Sequence, residues 1–122
     1  MYKIVLVNDD NNARALLRYW LEENGFAVFE SADGKAGLEL IKAVDPDVVI
    51  TDIFMPEMNE LQLITILDME RPELPIMAAT GIEEALESAK ESGACDGSLK
   101  PIEVEELLSA VQKIIKYLSN PD

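Results

Sequence analysis

A chain of 122 residues, 48% of them hydrophobic, is the size of one domain with a respectable core, and none of its apolar runs is long enough to span a bilayer. Asp and Glu number 24 against 10 Lys and Arg, and the resulting formal charge of −14 argues against nucleic-acid binding and favours basic partner surfaces. With no histidine there is no imidazole chemistry, and the lone Cys95 excludes both a disulfide framework and a cysteine metal cluster, which fits a cytoplasmic setting.

The chain opens directly on Lys3–Val7, an apolar run that reads as a first strand and is too short for a signal-peptide core. Asn8, Asp9, Asp10, Asn11 and Asn12 follow, residues of the kind that cap helices. Leu16, Leu17, Trp20 and Leu21 then recur at helical spacing, and Asn24-Gly25 is a stop signal. Phe26–Glu30 reads as a second strand. Gly37, Leu40, Ile41 and Val44 mark a second helix, ended before Asp45-Pro46 because the residue before proline avoids helical dihedrals. Val48–Ile50, β-branched throughout, suits a strand buried on both faces; it leads into Asp52, and Pro56 forbids a strand interior beyond.

Leu63, Ile64 and Leu67 give a third helix, stopped by Arg71-Pro72, and Pro75–Ala79 is a fourth strand ending at Thr80-Gly81. Ile82, Ala85, Leu86 and Ala89 form a face of a fourth helix that Gly93 terminates. Cys95–Leu99 is a fifth strand before Lys100-Pro101. Val104, Leu107, Leu108, Val111, Ile114, Ile115 and Leu118 keep a 3–4 spacing through the last helix.

Five strands alternating with five helices predict an α/β fold with a parallel sheet and right-handed crossovers. Helices cover both faces, so the carboxyl ends of the strands are the expected floor of a site. Asn8-Asp9-Asp10, Asp52, Thr80 and Lys100 all fall there. Taken singly, each has an ordinary explanation. Asp9, Asp10 or Asn11 could cap the first helix, Thr80 could cap the fourth, and Lys100 could be a solvated surface lysine.

Together they form a chemically coherent set. Asp9 and Asp52 at ~4 Å would repel by about 4 kcal/mol at an effective dielectric near 20. A hard divalent ion relieves that repulsion, and Mg²⁺ takes one or two carboxylates plus water and phosphate oxygens. Asp52 is then a nucleophile toward a phosphoryl group, with Lys100 neutralising its charge and the Thr80 hydroxyl donating a hydrogen bond to it.

On these motifs, which run in order along essentially the whole chain, the sequence resembles the receiver domain of two-component response regulators, the CheY-like family. The resemblance implies a (βα)5 flavodoxin-like, doubly wound sheet of strand order 2-1-3-4-5, forming a single domain over residues 1–122. It implies a phosphoacceptor at Asp52 and Mg²⁺ ligands at Asp9, at Asp52 and at the main-chain carbonyl of Phe54, with Asn8 and Asp10 as further candidates. Thr80 matches the signalling hydroxyl and Lys100 the lysine of the Lys-Pro motif.

Three departures stand out. Alignment on Arg14 and Leu16-Leu17 puts the amide of Asn8 where the family carries its first acid, which predicts weakened but surviving Mg²⁺ binding; a one-residue slide would instead pair Asp9 with Asp10. The loop Met55-Pro56-Glu57-Met58-Asn59-Glu60 loses the family's two glycines and gains two carboxylates. Gly97 stands where the switch aromatic belongs, which predicts a shallower or differently routed switch. Phe54 and Ile82 flank the expected site, where their bulk would either shield an acyl phosphate or simply fill the space between loops.

The resulting expectation is a stand-alone phosphoacceptor, not an enzyme in the ordinary sense, although it assists its own phosphoryl transfer and autodephosphorylation. It would be phosphorylated by a histidine kinase or phosphotransfer protein and would signal to a protein partner through the helix 4–strand 5–helix 5 face, with no role at nucleic acid or membrane. The alternative is a phosphorylation-independent interaction module on the same fold. A haloacid-dehalogenase-type phosphatase is disfavoured, because Phe54 occupies the place of its second aspartate. A flavodoxin-like cofactor carrier is disfavoured because no Gly/Ser/Thr-rich phosphate loop follows the first strand.

Overall fold

The computed structural model describes residues 2–52, 58–80, 96–99, 109 and 111–116. In chain order they form β1 (Lys3–Val7), α1 (Asn11–Glu23), β2 (Ala27–Ser31), α2 (Gly34–Val44), β3 (Val48–Asp52), α3 (Met58–Glu70), β4 (Ile76–Thr80) and β5 (Asp96–Leu99). The strands make one sheet of order β2-β1-β3-β4-β5, and every pairing in it is parallel. This is the flavodoxin-like order expected from the sequence. The expected fourth helix lies outside the described residues. Of the last helix, residues 109 and 111–116 are described, and they are helical.

Side chains of a strand alternate between its two faces, and here both faces are apolar because both are covered. Val5, Val7, Val49 and Ile76 pack with Ile41 of α2 and with Leu63, Ile64 and Leu67 of α3. Ile4, Leu6, Val28, Val48, Ile50 and Met77 point the other way, onto Leu21 of α1 and Val111 of the last helix. Leu17, Ile114 and Ile115 close that second layer.

The helix ends follow from local chemistry. Gly25, at φ 88°, takes the left-handed position after α1, and Asn24 and Gly25 donate their N–H groups to Leu21 and Glu22 carbonyls. Asp45 closes α2 in the left-handed region at φ 54°, donating its N–H to the Ile41 carbonyl just before Pro46. On its way across the sheet α2 passes close over β1 at Gly37. A Cβ there would lie 2.8 Å from Cγ2 of Val7, so hydrogen is what allows the approach. On the outer side of α1, Tyr19 and Trp20 stand in solvent with their rings edge to face at 5.6 Å.

Candidate functional site

β1, β3, β4 and β5 end at Val7, Asp52, Thr80 and Leu99 along one edge of the sheet. In register, Val7 pairs with Thr51, Asp52 with Ala79, and Thr80 with Leu99. Adjacent strands run ~4.8 Å apart. The backbone of Asn8-Asp9, Asp52 and Thr80 therefore occupies three neighbouring strand ends. Phe54, Ile82 and Lys100 lie outside the described residues, as do residues 53–57 of the loop that departs from the family pattern.

The turn after β1 is described in full. Asn8 is buried at 4% exposure and donates its N–H to the Ser31 carbonyl at 3.0 Å. Its side-chain Oδ1 accepts the Asp10 N–H at 2.8 Å. Asp10 is the helix cap: its Oδ1 accepts from the N–H groups of Asn12 at 2.9 Å and Ala13 at 3.1 Å, satisfying two donors that no helical carbonyl can reach. Of the three residues that could have capped α1, Asp10 does so. Asp9 sits between these two anchored neighbours, exposed and outside the cap.

A basic network braces this turn from beneath. The Arg14 guanidinium, only 14% exposed, donates from Nη1 to the Asn8 carbonyl at 2.7 Å, from Nη2 to Asn11 Oδ1 at 2.8 Å and from Nε to Glu30 Oε1 at 3.3 Å. Arg18 Nη1 donates to the other oxygen of Glu30 at 3.0 Å, and its Nε to Glu22 at 3.2 Å. The hydrogen bond from Arg18 is the main reason the Glu30 carboxyl is held below the usual carboxylate range. Desolvation opposes it, and Arg14 adds to it. In the sequence Arg14 serves only to set the alignment, and the network is not foreseen. The available signal was the i, i+4 pair of arginines on α1 opposite a carboxylate in the middle of a strand.

Thr51, one residue before Asp52, is fully buried, and its hydroxyl has no hydrogen-bond partner among the described residues. A surface pocket of about 470 Å³ between Pro46, Arg71, Pro72 and Pro75 lies at the other end of the strands, where Arg71 and Asp45 pair across it. Among the described residues no helix is long and apolar enough to cross a membrane.

This fold and this strand-end edge are those of a receiver. The family model of the response regulator receiver domain matches residues 4–112, and the chain belongs to that family. It is a receiver domain of two-component response regulators. Such domains accept a phosphoryl group rather than acting as classical enzymes, and they typically bind Mg²⁺ for that purpose.

Among its relatives, the response regulator MprA of Mycolicibacterium vanbaalenii is 32% identical over 98% of this chain and 53% of its own length. The chain thus spans about half of the MprA proteins it matches. Sporulation initiation phosphotransferase F of Bacillus subtilis is 29% identical over 97% of both chains. The chemotaxis protein CheY4 of Vibrio cholerae superposes with a TM-score of 0.83 at 28% identity, over 93% of this chain and 98% of that one. A CheY-like receiver domain protein from Methanospirillum hungatei reaches a TM-score of 0.91 at 22% identity over 100% and 99%, a likeness of fold alone.

Proposed function

We infer that this chain is a single receiver domain over residues 1–122, working as a stand-alone phosphoacceptor in the cytoplasm. Asp52 receives the phosphoryl group from a histidine kinase or phosphotransfer protein. A carboxylate oxygen of Asp52 forms the new bond to phosphorus as the phosphorus–nitrogen bond of the donor phosphohistidine breaks. The leaving imidazole keeps the electron pair and takes up a proton. Thr80 donates a hydrogen bond to the transferred group and Lys100 balances its charge. What supports this reading is the strand-end edge, where the backbone of Asn8-Asp9, Asp52 and Thr80 lies at the ends of the neighbouring strands β1, β3 and β4. The near full-length match to a phosphotransferase, at 97% of each chain, supports the stand-alone assignment.

The residues fit Mg²⁺. The donor set is all oxygen, as this ion requires, and the cap leaves Asp9 rather than Asp10 to serve as the carboxylate ligand beside Asp52. The Phe54 carbonyl would complete the protein's share. Asn8 offers no charge, and its Oδ1 is engaged by the Asp10 N–H. When bound, the ion screens the carboxylates from each other and from the incoming phosphoryl oxygens. Downstream, the helix 4–strand 5–helix 5 face meets a protein partner rather than nucleic acid or membrane.

Incubation with Mg²⁺ and a small phosphodonor, followed by intact mass, tests the assignment: wild type should gain one phosphoryl group and Asp52→Asn none. The neutral Asn8 favours one competing reading, a phosphorylation-independent interaction module. A wild-type mass unchanged with and without Mg²⁺ would establish that reading instead.

A further inference from the structure

We propose that Arg14 is a positioning residue for the cation site, holding Asp9 in place through the backbone of Asn8. The inference rests on the reading of Asp9 as a Mg²⁺ ligand, and it adds a residue that touches neither ion nor phosphoryl group. Asn8 is gripped at three points. Its N–H is tied to Ser31, its side-chain oxygen to Asp10, and its carbonyl to Arg14. The first two ties are made by β2 and by the turn itself. The third comes from a guanidinium that reaches back from the first turn of α1, and it is the shortest of the three at 2.7 Å.

That carbonyl belongs to the peptide unit joining Asn8 to Asp9. Fixing its oxygen fixes the plane from which the Asp9 side chain departs, because a peptide unit is rigid. Glu30 orients the guanidinium in turn. It faces Arg14 with one oxygen and Arg18 with the other, so the fork cannot swing away without breaking a charge-assisted bond. Two cations and the two carboxylates of Glu30 and Glu22 sum to no net charge. The network therefore holds the turn without setting a bare positive charge next to a cation site. With Asn8 supplying no carboxylate, the site depends more heavily on the placement of Asp9.

Calorimetric titration of the full chain with Mg²⁺ alone tests this, with thermal unfolding of each variant followed in parallel. Arg14→Gln should weaken Mg²⁺ binding by roughly tenfold, the lower end of what loss of a supporting partner costs a metal site. Arg14→Lys, which restores one donor toward the carbonyl, should recover part of the loss. A folded Arg14→Gln that binds Mg²⁺ as wild type does would overturn the proposal. If Arg14→Gln does not fold, Asn11→Ala and Glu30→Gln decide the matter. Each loosens the guanidinium while leaving Arg14 present, and each should weaken binding measurably; unchanged affinity in both would overturn the proposal equally. Asp9→Asn separates the two layers of the argument: if it binds Mg²⁺ like wild type, the ligand assignment itself fails. If it loses binding while the Arg14 variants do not, only the positioning role fails.

Discussion

Thr51 carries a buried hydroxyl with no hydrogen-bond partner among the described residues, on the β3 residue immediately before Asp52. An unpaired buried polar group costs about 1–3 kcal/mol. Valine has nearly the same shape and nothing to leave unpaired. Thr51→Val should therefore stabilise the domain by about 1 kcal/mol, seen as a higher urea midpoint with an unchanged slope. Glu30 makes the opposite kind of contribution. Its carboxyl is held below the usual range, chiefly by the Arg18 hydrogen bond. A carboxylate whose folded pKa is depressed adds stability above its unfolded pKa of about 4.3 and loses it as pH falls through the lower folded value. The stability gap between wild type and Glu30→Gln should thus be full at neutral pH and shrink on acidification below about pH 4. A gap that stays constant with pH would mean that the ion pairs contribute nothing through charge.

The contact between α2 and β1 shows how an element is placed by what is missing from it. Alanine normally gains about 1 kcal/mol over glycine inside a helix. At Gly37 that gain meets Cγ2 of Val7 at 2.8 Å, on a stiff β-branched side chain in the core. Overpacking costs about 1–3 kcal/mol, so Gly37→Ala should lower stability. Adding Val7→Ala should then cost less than the sum of the two single changes, as residues in contact require. Element boundaries were largely legible in the sequence, because prolines and glycines punctuate it: Pro46 and Pro72 end helices where expected. The third strand runs two residues past the expected Val48–Ile50, to Asp52, and two others are displaced by one residue. β2 was expected over Phe26–Glu30 and β4 over Pro75–Ala79, yet they run Ala27–Ser31 and Ile76–Thr80. Partners decide those ends. Phe26 leaves the strand to fill the core beside Leu21, and Ser31 joins it by pairing with Val7. The arginine pair on α1 did not by itself name its partner, since only the parallel register of β1 and β2 brings a carboxylate 16 residues away up to the turn.

At the scale of the whole molecule, substitutions at two positions test how strongly the proposed site is charged and how far its state travels. Asn8→Asp restores a carboxylate in the turn without disturbing its oxygen's bond to Asp10, and should tighten Mg²⁺ binding by about tenfold or more; equal affinity would show that the amide costs the site nothing. Gly97 lies in β5, paired with Ala78, where the family places a ring. Burying such a ring is worth ~1.5–3 kcal/mol, against ~5.5 kcal/mol to drive a two-state switch from 1:99 to 99:1. Gly97→Tyr should accordingly enlarge the chemical-shift changes that follow phosphorylation, and changes no larger than wild type would refute the shallow-switch expectation. That Asn8-Asp9, Asp52 and Thr80 lie at strand ends along one edge was readable, because the alternation of strands and helices delivers strand ends there whatever fills the interior. Which of Asp9, Asp10 and Asn11 caps α1 was not readable, since Asn and Asp suit that task equally.

Trp20, the chain's single indole, stands 41% exposed against Tyr19 in the last turns of α1. It lies about 15 Å along the helix from the turn that carries Asp9. Already half hydrated, it should emit near its solvated colour before and after denaturation. Its fluorescence is therefore a poor gauge of folding and a good detector of contact: a protein that covers α1 should move the emission to the blue, while chemistry at Asp52 leaves it still.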